Sequence, residues 1–230
     1  MPRRLSHGHA PLSAGSASKQ PVWDLPVRLF HWTLAGLIGF SWWTVHNHHK
    51  DWHIWSGIAI LTLLLFRLMW GLFGSSTARF VNFVRGPRHV LRYLRGDWRG
   101  IGHTPLGALS VVALLLAVSI QVGLGLFNED DDGLVAGPLA NMLSPDTTDK
   151  IRALHEFNFN ILLGLIALHV GAIIFYRIRG KHLTKPMITG SAPADPRAQP
   201  MRPGKWWVAL ICLAAAFAIS RWVVAGAPPL

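Results

Sequence analysis

The chain has 230 residues, of which 51% are apolar and only 14% are charged. A soluble domain of this size usually carries about a quarter charged residues, so the composition argues against an ordinary soluble fold and favours a membrane protein. The formal net charge of +11 does not indicate nucleic-acid binding, because there is no soluble basic domain to carry it. Arginine and lysine side chains that face anionic lipid account for this charge.

The apolar residues are concentrated in five blocks of about 20 residues, the length that an α-helix needs to cross a bilayer. Backbone amides in hydrocarbon can hydrogen-bond only to one another, so each block is predicted to be a helix. The polar residues 1–21 are expected to form a disordered cytoplasmic N-terminus without a cleavable signal peptide. The five predicted spans are Val27–Val45, Trp52–Phe73, Leu106–Phe127, Ala153–Tyr176 and Trp206–Val224.

The expected fold class is an all-α integral membrane protein. Residues 22–189 are predicted to form a four-helix transmembrane bundle, and residues 205–230 a fifth transmembrane helix. Residues 190–204 are read as a Pro-rich linker with little chance of packing, which would leave the fifth helix loosely tethered.

Charge predicts the orientation of these spans. Arginine and lysine are abundant before the first span, between the second and third, and between the fourth and fifth, so these three segments are expected to share one side. The other side receives a short His-rich loop and an acidic loop that runs from Asn128 to Asp149. The positive-inside rule then places the N-terminus in the cytoplasm and the C-terminus outside.

Four histidines stand out within the predicted spans. His155 and His169 are fourteen residues apart in the fourth span, nearly four helical turns, so both leave one helix face about 21 Å apart. His31 lies near the start of the first span and His53 near the start of the second. With the predicted topology, depth pairs His31 with His169 on the inner side and His53 with His155 on the outer side.

Two such pairs predict two stacked haem b groups, an inner one and an outer one. Two axial imidazoles fill both open positions on a haem iron, leaving no place for O₂ or substrate, so the iron is suited to passing single electrons. The only cysteine, Cys212, lies within the fifth span. This excludes an intrachain disulfide, an iron–sulfur cluster held by this chain alone and covalently attached haem.

Other residues are candidates for contacts with these haems. Gly57 follows His53 by four residues and would let a flat macrocycle approach the backbone, although small-residue helix packing explains glycines equally well. Arg28 and Arg67 are candidates for binding the inner haem's propionates, with lipid phosphate as the alternative for Arg67. Arg79 could play either part, and Arg152 could serve the outer haem.

The remaining histidines fall into two groups. His46, His48 and His49 could hold copper or zinc together with His53, or they could be loop residues without a bound ion. The others are expected to be solvated on the cytoplasmic side: His7, His9, His89, His103 and His182.

Several motifs resemble the bacterial cytochrome b561 superfamily, and in particular its branch named for the b-type cytochrome subunit of nickel-iron hydrogenases. They are VWDLPVRLFHW at 22–32, FRLMWGLFGSSTARF at 66–80, GLF followed by NEDDD at 125–132, ALHVGAIIFY at 167–176 and KPMITG at 185–190. The resemblance covers about residues 22–190. It implies a four-helix bundle with two b haems, in which His31, His53, His155 and His169 match the ligand positions.

The sequence therefore predicts a di-haem cytochrome of the bacterial inner membrane that carries electrons between the quinone pool and a periplasmic redox partner. The acidic outer loop could steer a basic partner such as a soluble c-type cytochrome. Three alternatives remain: a membrane anchor subunit of a hydrogenase or other periplasmic oxidoreductase, a superoxide:quinone oxidoreductase, and a haem-free channel or transporter.

Overall fold

The structure is a computed structural model that describes residues 18–84, 86–95, 102–130, 135–195 and 199–228. The expected N-terminal tail up to residue 17, with His7 and His9, lies outside the described residues, as do Asp131 and Asp132 of the acidic loop. The described elements are β1 Lys19–Pro21, α1 Leu25–His46, α2 Lys50–Phe73, α3 Phe80–Phe83, α4 Pro87–Leu94, α5 Pro105–Leu126, a 3-10 turn Ala140–Met142, α6 Pro145–Ile178, α7 Thr184–Thr189, β2 Ser191–Pro193 and α8 Trp206–Val224.

The mostly helical membrane fold expected from the sequence is confirmed. Among the described helices, α2, α5, α6 and α8 are long and apolar enough to cross a membrane. Helix α1, which contains the first predicted span, is not in this set, so its crossing of the bilayer stays a prediction. The fifth predicted span coincides with α8, which is one of the four.

Helix starts follow from the local sequence. The Oδ1 atom of Asp24 accepts a hydrogen bond of 2.8 Å from the backbone N–H of Val27 and so caps α1. The hydroxyl of Thr104 caps α5 in the same way, 3.1 Å from the N–H of Gly107. A proline follows each cap within the first turn, where a backbone N–H has no helical partner to lose.

Helix α2 lies at the centre of the bundle, where it packs against α1, α5 and α8, while α5 also packs against α6. Midway along the helices, Ile60 and Leu64 of α2 meet Ala117 and Val118 of α5 and Leu162 of α6. Leu162 lies midway between His155 and His169 in the chain, so this apolar cluster lies between the two levels at which the histidines sit.

The segment before α1 pairs with the segment that follows α7. Strands β1 and β2 pair antiparallel, with Gln20 opposite Ala192. The carbonyl of Gly190 accepts hydrogen bonds from the N–H groups of Val22 (2.8 Å) and Trp23 (3.1 Å). Gly190 has φ +83°, a conformation that favours glycine. The structure thus differs from the expectation that residues 18–21 are disordered and that residues 190–195, at the start of the predicted linker, pack little.

Helix α8 is docked on α2 rather than loosely tethered. The hydroxyl of Thr62 donates a 2.9 Å hydrogen bond to Ser220 in the buried face of α8. Before α8, a Cβ on Gly204 would come within 2.7 Å of the Trp70 ring, so only glycine lets the chain pass this closely. The N–H of Arg202 also donates to Ser76 Oγ at 2.9 Å. The expectation of a loose tether was wrong because sequence composition does not reveal these contacts.

The two ends of the bundle differ in charge. One end holds the start of α1 and the ends of α2 and α6, and we call it the basic face because of its described cations. They include Lys19, Arg28, Arg79, Lys185, Arg202 and Lys205, together with the arginines of α4 and those at the end of α6. The other end holds the starts of α2 and α6, and we call it the acidic face. Its described carboxylates include Asp51, Glu129, Asp130, Asp146 and Asp149, beside a smaller number of cations such as Lys50, Lys150 and Arg152.

Candidate functional site

The four histidines singled out in the sequence form two pairs, one towards each face. His31 of α1 lies beside His169 of α6, with ring centroids 6.5 Å apart and ring planes at 51°. His53 of α2 lies beside His155 of α6, with centroids 6.3 Å apart and planes at 84°. We call these the basic-face pair and the acidic-face pair. Both pairs use α6 and draw their second ring from a different helix.

The spacing within each pair fits one metal ion between two imidazoles. An imidazole nitrogen lies about 2 Å from a bound first-row metal ion and about 1 Å from its own ring centroid, so two axial imidazoles place their centroids about 6 Å apart. Direct stacking of two rings would instead allow closer centroids, from about 4.5 Å. Both histidine pairs therefore have the separation that bis-imidazole ligation of haem iron requires.

Several glycines on the helices that carry these histidines face open space. A Cβ built on Gly57 would meet no heavy atom within 4 Å, and the same is true of Gly36 and Gly39 of α1 and of Gly164 and Gly171 of α6. Close helix packing therefore does not account for these glycines. Gly125 of α5 is different, since its Cβ would lie 3.2 Å from Cε1 of His155.

The second ring nitrogens of the histidines have distinct environments. Nδ1 of His53 lies 3.0 Å from the hydroxyl of Ser41 and 3.2 Å from its carbonyl oxygen. Nδ1 of His169 lies 3.3 Å from the hydroxyl of Ser110. Nδ1 of His31 and of His155 is buried and has no hydrogen-bond partner among the described residues. Sequence reasoning missed both serines, because nothing in their spacing reveals which way each side chain points.

Arg67 is the most deeply buried cation described, with only 2% of its surface exposed. Its guanidinium lies over the ring of Phe80 at 4.7 Å, and its Nη1 atom has no hydrogen-bond partner in the described part of the chain. Asp24, which accepts hydrogen bonds from the N–H of Val27 and from Trp70 Nε1 (2.9 Å), lies close enough to interact electrostatically with Arg67. Nη1 of Arg67 remains without a described acceptor, and a second anionic group such as the carboxylate of a haem propionate would fit it.

The other candidate arginines are partly engaged elsewhere. Arg28 donates through Nη2 to the carbonyl of Ile188 at the end of α7, while its Nε is buried without a partner among described residues. Nε of Arg79 is also buried and has no hydrogen-bond partner among the described residues. On the acidic face, Arg152 forms an ion pair of 2.8 Å with Asp149. Arg152 thus supports the start of α6, whatever else it contacts.

His103 is not the solvated residue expected from the sequence. Its ring lies 4.6 Å from that of Trp23 and 4.5 Å from that of Phe83, and its Nδ1 is buried without a described partner. Burial and, secondarily, the nearby Arg67 lower the pKa of His103 to about 3. The residue precedes α5 in a turn that folds against the start of the first helix, a tertiary contact that a polar stretch of sequence does not reveal.

The loop histidines stack on tryptophans. His49 lies 4.8 Å from Trp52 and 5.6 Å from Trp43, while His46 lies 4.4 Å from Trp42. In the part of the chain that the structure describes, no three His, Cys, Asp or Glu side chains form a group that could hold a metal ion. The alternative of a copper or zinc site in this loop gains no support.

A membrane-embedded helical bundle with half-buried histidine pairs at haem-ligand spacing defines the class of membrane b-type cytochromes. The sequence agrees, because the family model described as prokaryotic cytochrome b561 matches residues 22–190. The chain belongs to this family, which confirms the resemblance, and it is a multi-pass membrane protein of electron transfer. Helix α8 lies beyond the matched residues. Comparison with curated proteins found no significant match, and neither did comparison with solved structures.

Proposed function

We propose that the chain is a di-haem b-type cytochrome of the bacterial inner membrane that carries electrons between the quinone pool and a redox partner at the acidic face. The observation that carries this proposal is the presence of two histidine pairs, with ring centroids 6.5 Å and 6.3 Å apart. Each pair takes one of its rings from α6. Haem b supplies reversible one-electron chemistry when bound. His31 and His169 would hold one group, and His53 and His155 the other.

The protein's part in this function is to hold and insulate two redox groups in series. His155 and His169 are fourteen residues apart on α6, about 21 Å along the helix, so the groups they would hold lie at two separate levels. The apolar cluster of Ile60, Leu64 and Leu162 between them keeps water and ions from this region. Arg67, and Arg28 through its free Nε, would neutralise propionates near the basic face.

We assign the acidic face to the periplasm and the basic face, with the N-terminus, to the cytoplasm. The described arginine and lysine side chains are concentrated at the basic face, and the positive-inside rule places such a face in the cytoplasm. A basic soluble carrier, such as a c-type cytochrome, is the partner that the carboxylates of the acidic face would attract. Lys50 reduces this attraction locally, since it pairs with Asp130 at 2.6 Å.

The proposal is tested with the purified protein in vesicles, with quinol in the bilayer and a membrane-impermeant one-electron acceptor outside. The wild type is expected to bind two b haems and to reduce the acceptor. Variants His169→Ala and His53→Ala should each lose one haem and most of the transfer. A protein that binds no haem, or transfer that survives both substitutions, would overturn the proposal.

A further inference from the structure

Each histidine pair contains one ring whose Nδ1 has a hydrogen-bond partner and one ring whose Nδ1 has none among the described residues. In the acidic-face pair the partnered ring is His53, which contacts Ser41. In the basic-face pair it is His169, which contacts Ser110. The two contacts have the same form, a serine on a neighbouring helix that meets Nδ1 of a histidine at 3.0 Å and 3.3 Å respectively.

These contacts determine which ring nitrogen carries the proton. A neutral imidazole has one N–H and one free lone pair. The carbonyl of Ser41 can only accept, so the contact with His53 Nδ1 at 3.2 Å requires a proton on Nδ1. Nε2 of His53 then presents its lone pair. The hydroxyl of Ser110 can accept from Nδ1 of His169 in the same manner.

The two serines lie on different helices. Ser41 lies on α1, which also carries His31, so α1 contributes a ring to one pair and a hydrogen bond to the other. Ser110 lies on α5, which carries none of the four histidines. The carbonyl of Ser41 is itself fixed, because the buried hydroxyl of Thr44 donates to it at 2.7 Å.

We propose that Ser41 and Ser110 are positioning residues, one for each haem, which hold a ligand histidine in the Nε2-coordinating form and set its basicity. This inference rests on the proposed function. A ligand imidazole that donates its other N–H is held in orientation and gives more electron density to the metal. That stabilises the oxidised iron and keeps the reduction potential of that haem lower than it would otherwise be.

The two serines should differ in strength. Replacing Ser110 with alanine removes the described acceptor from His169. Replacing Ser41 with alanine removes the hydroxyl but keeps the backbone carbonyl at 3.2 Å from Nδ1 of His53. We therefore expect Ser110→Ala to raise the potential of the basic-face haem clearly, and Ser41→Ala to raise that of the acidic-face haem by less.

The experiment is an optical redox titration of the haem-loaded full chain, which resolves one wave per haem, together with haem retention on dilution. Ser110→Ala should move one wave upwards and lower haem affinity at the basic-face pair by roughly tenfold or more. Ser41→Ala should move the other wave upwards, with a smaller loss of affinity at the acidic-face pair. Ser110→Thr, which keeps the hydroxyl, should restore the wild-type wave. Ser119→Ala, a change of the same kind elsewhere on α5, is the matched control and should move neither.

Two haems with unchanged waves in Ser110→Ala would overturn the inference while leaving the proposed function intact. Movement of the same wave by both alanine variants would also overturn it. A wild-type chain without haem would instead defeat the proposed function. If Ser110→Ala does not assemble, Ser110→Cys keeps the side-chain size and offers only a weak acceptor, and it should give the same upward movement.

Discussion

Gly125 of α5 lies directly against His155 of α6, so that a Cβ added to the glycine would sit 3.2 Å from Cε1 of the imidazole. The position of the His155 ring therefore depends on a missing side chain in α5, a helix that carries none of the four histidines. Gly125→Val should displace the His155 ring and weaken haem binding at the acidic-face pair, while the haem at the basic-face pair keeps its optical spectrum.

The loss is measured as haem content per chain and from the separate optical signals of the two haems. Gly86→Ala, whose Cβ would meet nothing within 4 Å, is the control, and equal haem content in Gly125→Val and the control would contradict the prediction.

Arg67 provides a second prediction, which concerns charge. Removal of a buried cation near an iron favours the oxidised state, so Arg67→Gln should lower the potential of the basic-face haem and reduce its retention. Redox titration checks the direction. Arg179→Gln removes an exposed guanidinium that lies 4.9 Å from the Phe175 ring, and it should have little effect. A potential that rises or stays constant in Arg67→Gln would show that Arg67 does not face a haem.

His103 makes stability depend on pH in a defined direction. Burial lowers its pKa to about 3 in the fold, against about 6.5 when unfolded. The unfolded chain therefore binds a proton that the folded chain refuses, and stability falls as the pH drops from about 6.5 towards 3 at up to about 1.4 kcal/mol per pH unit. Between pH 6.5 and 5, wild type should lose about 1–2 kcal/mol more than His103→Phe, which keeps a ring between Trp23 and Phe83. Parallel pH profiles of the unfolding free energy in detergent would contradict this.

The docking of α8 gives a prediction about stability rather than electron transfer. The Thr62–Ser220 hydrogen bond of 2.9 Å lies in an apolar interface, where such bonds contribute on average about 0.6 kcal/mol. Thr62→Ala and Ser220→Ala should therefore be non-additive by about this amount in a double-mutant cycle. Both variants should keep two haems, since neither residue touches a histidine of the pairs. Full additivity would mean that α8 is not held on α2 by this contact.

Much of the bundle is predictable because hydrocarbon length and helical periodicity are strong constraints. The fourteen-residue spacing of His155 and His169 indicates two levels along one helix, and the alternation of charged loops indicates which rings share a level. The family and the helical membrane fold are confirmed, while the hydrogenase branch stays a prediction.

Other features depend on how helices rotate and how loops return, which single-sequence patterns do not encode. Ser41 and Ser110 look like ordinary membrane-helix serines until the helix faces are known. The sequence predicts that His103 is a solvated loop residue, yet its ring packs against the rings of Trp23 and Phe83. The close contact of Gly204 with Trp70 is likewise visible only in three dimensions.

The most direct test of the account is the number of haems bound per chain. Pyridine haemochrome quantification of the purified wild-type protein should give two haem b per polypeptide, and His169→Ala should give one, with the acidic-face pair still loaded. A wild-type ratio of one under full haem supply would contradict the claim that both histidine pairs bind haem, and a ratio of zero would contradict each assignment.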